Sequence, residues 1–189
     1  MKSNFIRIMF GILLVGNSVV AQEKFGKALN IGVGSTFYGY VGRTSPVVML
    51  NYEFEVAKNF TLAPSIGFFT YTNHYYWGGS GHNKHYYYYP YRKYSYRQTV
   101  VPIGLKASYY FDEILKANKD WDFYAALTIG YAIRSNRWEN DYDGDLGYAR
   151  SSSLYADLHI GAEYHLNKTL GLFADLSTGM ILIGLAVHH

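Results

Sequence analysis

The sequence predicts an all-β protein, an eight-stranded up-and-down antiparallel transmembrane β-barrel, on three observations. Apolar residues alternate with polar ones or glycine along eight separate runs, the period of a strand and not of a helix. Eight glycines (Gly32, Gly34, Gly67, Gly104, Gly130, Gly161, Gly171 and Gly184) all fall on the polar side of those runs. Glycine there is of no use against open water, but it relieves crowding inside a narrow barrel. On the apolar side, Phe54, Phe60, Tyr109, Phe111, Trp121, Phe123 and Tyr164 gather near strand ends, as the aromatic girdles of membrane barrels do. The apolar face is therefore predicted to meet lipid and the polar face to line the lumen.

In chain order, Lys2 and Arg7 precede an apolar run, Ile8 to Val15, and Val19-Val20-Ala21 supplies small residues. This pattern predicts a secretory signal peptide over 1–21, leaving an outer-membrane barrel domain over 22–189. Loss of Lys2 and Arg7 lowers the formal charge from +3 to +1, so the basic balance is no argument for nucleic acid. The absence of cysteine removes disulfides, thiolate metal sites and cysteine nucleophiles.

The first strand is expected over Ala28 to Tyr40, with Leu29, Ile31, Val33 and Phe37 on one face and Asn30, Gly32 and Gly34 on the other. A turn through Gly42 to Pro46 leads to a second strand that sets Val48, Leu50, Tyr52 and Phe54 against Met49, Asn51 and Glu53. Ala57-Lys58-Asn59 turns the chain into a third, in which Leu62, Ile66 and Phe68 alternate with Ala63, Ser65 and Gly67. His74 to Gln98 is an insertion with nine tyrosines, three histidines and no acid. The fourth strand sets Ile103 and Leu105 against Gly104 and Lys106, and a polar link over Asp112 to Asp120 has room for one helical turn. The fifth strand sets Leu127 and Ile129 against Thr128 and Gly130, and a second loop spans Ser135 to Ser152. Beyond it, Leu158 and Ile160 alternate with Asp157, His159 and Glu163, Asn167-Lys168 turns, and Leu172 and Leu176 alternate with Phe173 and Asp175. A last run opposes Ile183, Leu185 and Val187 to Gly184 and His188. No stretch after the leader has the length of apolar residues a membrane helix needs.

The runs Val101-Pro102-Ile103-Gly104-Leu105-Lys106, Tyr124 to Tyr131, Leu158 to Tyr164 and Leu170 to Asp175 resemble those of small bacterial outer-membrane barrel proteins of the OmpA/OmpX-like group. The resemblance covers the whole mature chain through patterns, not invariant sites. It implies a cell outer-membrane location, and insertion by the outer-membrane assembly machinery, which reads a final strand ending in an aromatic residue; here the chain ends in His189. It also implies a barrel without the peptidoglycan-binding domain of longer relatives.

Two groups of residues are candidate sites. The parity of the strands sends Glu53, Lys106, His159 and Glu163 into the lumen, where confined charges have to pair. A lysine–carboxylate cluster with His159 beside it is therefore expected. In the 74–98 segment, Trp77, Tyr86, Tyr87, Tyr88, Tyr89, Tyr91 and Arg92 are of the types that dominate binding hot spots. His74, His82 and His85 could ligate a metal, but a glycine-rich segment without carboxylates preorganises them poorly. Asp141, Asp143 and Asp145 fail as a calcium loop, since Leu146 and Ser152 stand where Gly and Glu are needed. No nucleophile sits in a recognisable motif. The reading is a non-enzymatic monomer with a mostly closed polar lumen and a structural or surface-interaction role. No cofactor and no nucleic acid is expected; the partners are outer-membrane lipid, the assembly machinery and an extracellular ligand of unknown identity. Alternatives are a surface binder acting through 74–98, a small gated pore, and a rim lipid-modifying enzyme.

Overall fold

The computed structural model describes residues 27–37, 43–44, 46–77, 92–138 and 152–189. Its strands are β1 (Lys27–Thr36), β2 (Val47–Ala57), β3 (Phe60–Trp77), β4 (Arg92–Tyr110), β5 (Trp121–Trp138), β6 (Ser153–His165), β7 (Leu170–Ser177) and β8 (Met180–His188). Each pairs antiparallel with its successor, and β8 returns to pair with β1. Closure leaves no sheet edge in the barrel wall, so the ladder there satisfies its backbone groups without water, the condition for strands in lipid. This is a closed eight-stranded up-and-down transmembrane barrel. The proposed leader, residues 78–91 and residues 139–151 lie outside the described residues.

The alternation fixes which face is inside. On β2, Val47 and Met49 are buried while Val48 and Leu50 are exposed. On β5 and β6, Ile129 and Leu158 are 58 % and 64 % exposed, which makes sense against hydrocarbon and not against water. Along β5 the apolar outer face runs from Trp121 to Ile133 and then gives way to Ser135 and Arg137. That stretch is roughly 40 Å of strand, or about 30 Å in height at the usual barrel tilt, enough to cross the apolar core of a bilayer. At its lower edge Trp121 stacks on Phe123 at 5.8 Å and meets Tyr164 at 5.0 Å. Phe37, Phe68 and Tyr131 stand exposed nearer the other edge.

The lower connections are short and locally determined. Asn59 takes the left-handed conformation, φ 60°, which asparagine tolerates better than most residues. Asn167 Oδ1 accepts from the backbone of Thr169 and Leu170 at 2.8 and 3.0 Å, so its own side chain makes the turn. Between β4 and β5 the polar link forms one turn of helix, α1 (Asp112–Leu115), ended by a left-handed Lys116.

The upper end departs from the sequence reading. Where it is described, the insertion at 74–98 continues the hairpin: β3 and β4 stay paired up to Trp77 and Arg92, and β5 continues to Trp138. Arg43 and Thr44, expected in a turn, pair with Thr72 and Tyr71 at the foot of this extension. Apolar alternation ends where the wall leaves the membrane, because both faces then meet water. The tyrosines and threonines there remain good strand formers. On the opposite side, β7 and β8 are joined only by Thr178 and Gly179, with Ser177 Oγ accepting from the backbone of Gly179 and Met180. One side of the wall is tall and the other low.

Candidate functional site in the barrel lumen

The interior is layered. Nearest the tall end, Val47, Met49, Phe69, Val100, Ala132, Met180 and Leu182 form an apolar plug, with Tyr71, Tyr155 and Phe173 packed on it. Period two puts these residues on the lumen face, but their joining into one apolar layer depends on the register between strands.

Beneath the plug lies the lysine. Lys106 on β4 reaches across the lumen to β7, with Nζ 2.6 Å from Asp175 Oδ2. Tyr124 donates its hydroxyl to the same oxygen at 2.8 Å, and the ammonium sits 4.4 Å from the centre of that ring. Asp175 Oδ1 is taken by His159 Nδ1 at 2.7 Å, and His159 Nε2 is 2.9 Å from Thr128 Oγ1. Asp175, only 2 % exposed, is thus held by a lysine, a tyrosine and a histidine from three other strands. It is the hub of the cluster. Lys106 and His159 meet on Asp175, and not on Glu53 or Glu163, the carboxylates expected there.

Glu53 on β2 belongs to a neighbouring set. It accepts from Tyr110 at 2.6 Å, from Asn30 at 3.0 Å and from Thr61. Glu163 on β6 lies at the lower mouth, where its Oε1 is 2.6 Å from His188 Nε2 and 3.8 Å from His165 Nδ1. Asp122 Oδ2 holds the other nitrogen of His165 at 2.7 Å. His188 and His165 were not singled out from sequence, although both fall on the lumen face. The signal that could have found them is the spacing of Glu163 and His165 on one strand face.

Glycine makes these cross-lumen reaches possible. A Cβ at Gly161 would overlap the Tyr124 ring, and one at Gly171 would overlap the Glu163 carboxylate. The bare backbone at these points is what lets large side chains lie flat across the wall.

The arrangement limits what chemistry the lumen can do. Thr128, His159 and Asp175 have the spacing of a nucleophile, base and orienting acid. Yet Thr128 is 4 % exposed and borders a cavity under the apolar plug. The cavity bounded by Met49, Lys106, Tyr155, His159, Asp175 and Leu182 measures about 30 Å³, room for about one or two waters. Of the residues proposed for surface contact, Trp77 and Arg92 face each other as the outermost pair of the β3–β4 hairpin among the described residues. Tyr86, Tyr87, Tyr88, Tyr89 and Tyr91 lie outside the described residues, as do His82 and His85.

No protein-family model matches this sequence, and no match is found among curated proteins. Among solved structures, the chain is similar to the N-terminal β-barrel domain of Pseudomonas aeruginosa OprF, with 15 % identity and a TM-score of 0.51 over 85 % of this chain and 93 % of that one. Neisserial surface protein A gives 15 % identity and a TM-score of 0.47, over 86 % of this chain and 94 % of that one. Ail, the attachment invasion locus protein of Yersinia pestis, gives 10 % and 0.45, over 86 % and 99 %. At 15 % identity the OprF domain shares the barrel fold with this chain, and the likeness is one of fold alone.

Proposed function

We propose that this chain is an exported outer-membrane protein of the OmpA/OmpX-like kind. In this reading residues 1–21 are its signal peptide, and its barrel is a closed membrane element that carries a tall hairpin at the cell surface. The observation that supports the reading is what the lumen holds. An apolar plug lies over a neutralising Lys106–Asp175–His159 set, with a cavity of about 30 Å³ between them. A route for solutes would need a connected path through that interior. The outer face supports a lipid environment through its exposed aliphatics and lower aromatic ring.

A second reading, surface binding, is favoured by one feature. The β3–β4 hairpin continues for about 23 Å of strand beyond Thr70, ending in the Trp77–Arg92 pair. A ladder so extended carries the Trp77 and Arg92 backbone well beyond the outer aliphatic band on a stiff support. The two readings separate in cells. A strain lacking the whole gene is compared with one whose hairpin is cut back to a tight turn between Thr70 and Thr99. A membrane defect confined to the full deletion supports the structural role. Equal loss in both strains shifts the role to the hairpin.

A further inference from the structure

The lower mouth of the barrel holds a group of side chains that the closed-lumen reading does not use. Glu163, His165 and His188 bring one ligand atom each to within 4.8 Å of one another. From this geometry we propose that they form a binding site for a divalent transition ion of the zinc type.

Four observations converge. The first is the donor set: two imidazoles and one carboxylate suit zinc and its neighbours, whereas calcium and magnesium require oxygen ligands. The second is spacing. Donors about 2.0–2.1 Å from a tetrahedral ion lie about 3.3 Å apart, and the observed 2.6 Å and 3.8 Å separations bracket that value. The imidazole nitrogens lie within 4.8 Å of each other, so movements of about 1–1.5 Å, with loss of the proton in the His188–Glu163 hydrogen bond, complete the site.

The third observation is orientation. Asp122 Oδ2 lies 2.7 Å from His165 Nε2, so in the neutral ring that nitrogen carries the proton and Nδ1 presents its lone pair. Nδ1 faces Glu163 Oε1 at 3.8 Å. Two acceptors then look at each other across a gap that a cation fills. A carboxylate behind a histidine is also the usual outer support of a metal ligand. The fourth is room. Gly171 on β7 lies under the Glu163 carboxylate and leaves it free to swing toward β8, where His188 sits. The His165 and His188 side chains are 25 % and 17 % exposed, so an ion reaches them from the open lower mouth, and water can fill the fourth position.

The test uses tag-free, folded protein titrated with zinc by calorimetry, with folding of each variant checked by heat-modifiable gel mobility. One ion per barrel is expected. His165→Ala and His188→Ala weaken it at least tenfold, and Asp122→Asn weakens it about tenfold through the lost support. His189→Ala retains it, because His189 Nε2 bonds Tyr52 on the outer face. The triple variant His74→Ala, His82→Ala and His85→Ala also retains it. No saturable binding overturns the site, as does loss in the triple variant with none in His165→Ala. If the alanine variants do not fold, cobalt added to His165→Cys decides the matter. The wild-type chain has no cysteine, so a new thiolate-to-cobalt charge-transfer band supports the site and its absence refutes it.

Discussion

At the scale of single residues, Asp175 is the position on which the interior depends. Removing one member of a buried charge pair strands the other and costs about 3–5 kcal/mol. Lys106→Met is expected to lower unfolding stability in detergent or lipid by that amount, measured by urea titration. Adding Asp175→Leu should recover most of it, because an apolar pair of similar volume is often no less stable than a buried ion pair. If the single and double variants are equally destabilised, the loss comes from packing and not from a stranded charge. Gly161→Val is expected to cost about 1–3 kcal/mol by pushing the Tyr124 ring off the wall. Loss of that ring also weakens the hold on Asp175, which Tyr124 contacts at 2.8 Å. Parity along a strand told which residues enter the lumen, Lys106 and His159 among them. It could not tell which meet, since that depends on the register between strands and on barrel tilt. Asp175 lies on β7 and Lys106 on β4, far apart in the sheet, and they touch only because the barrel is narrow.

At the scale of elements, the strands within the membrane were legible and those above it were not. Val48 and Leu50 facing lipid, with Met49 and Asn51 facing in, follow from period two. The same rule is silent for Thr70 to Trp77, where neither face is required to be apolar. Tyrosine and threonine content, together with the need to pair two long neighbours, carries the ladder onward. The hairpin above Tyr71, which itself packs on the plug, is therefore expected to be an addition to the barrel and not part of its support. Replacing residues 72–97 with Asn-Gly should leave a heat-modifiable, folded barrel whose stability changes by less than about 1 kcal/mol, since surface loops tolerate such changes. A variant that fails to fold would show that the hairpin helps to close the wall between β3 and β4.

At the scale of the whole molecule, the outward aliphatic band and the closed ladder make the chain a membrane barrel. That the barrel is also closed is our proposal, and the contents of the lumen support it. An eight-stranded wall encloses little more than side chains, and here those chains are an apolar plug above and paired charges below. The most direct measurement of that claim is single-molecule conductance of the folded protein in a planar bilayer. Most insertions are expected to be silent, and rare small openings that become more frequent in Lys106→Ala would favour the small gated pore. Steady, large conductance from most wild-type insertions would contradict the closed lumen.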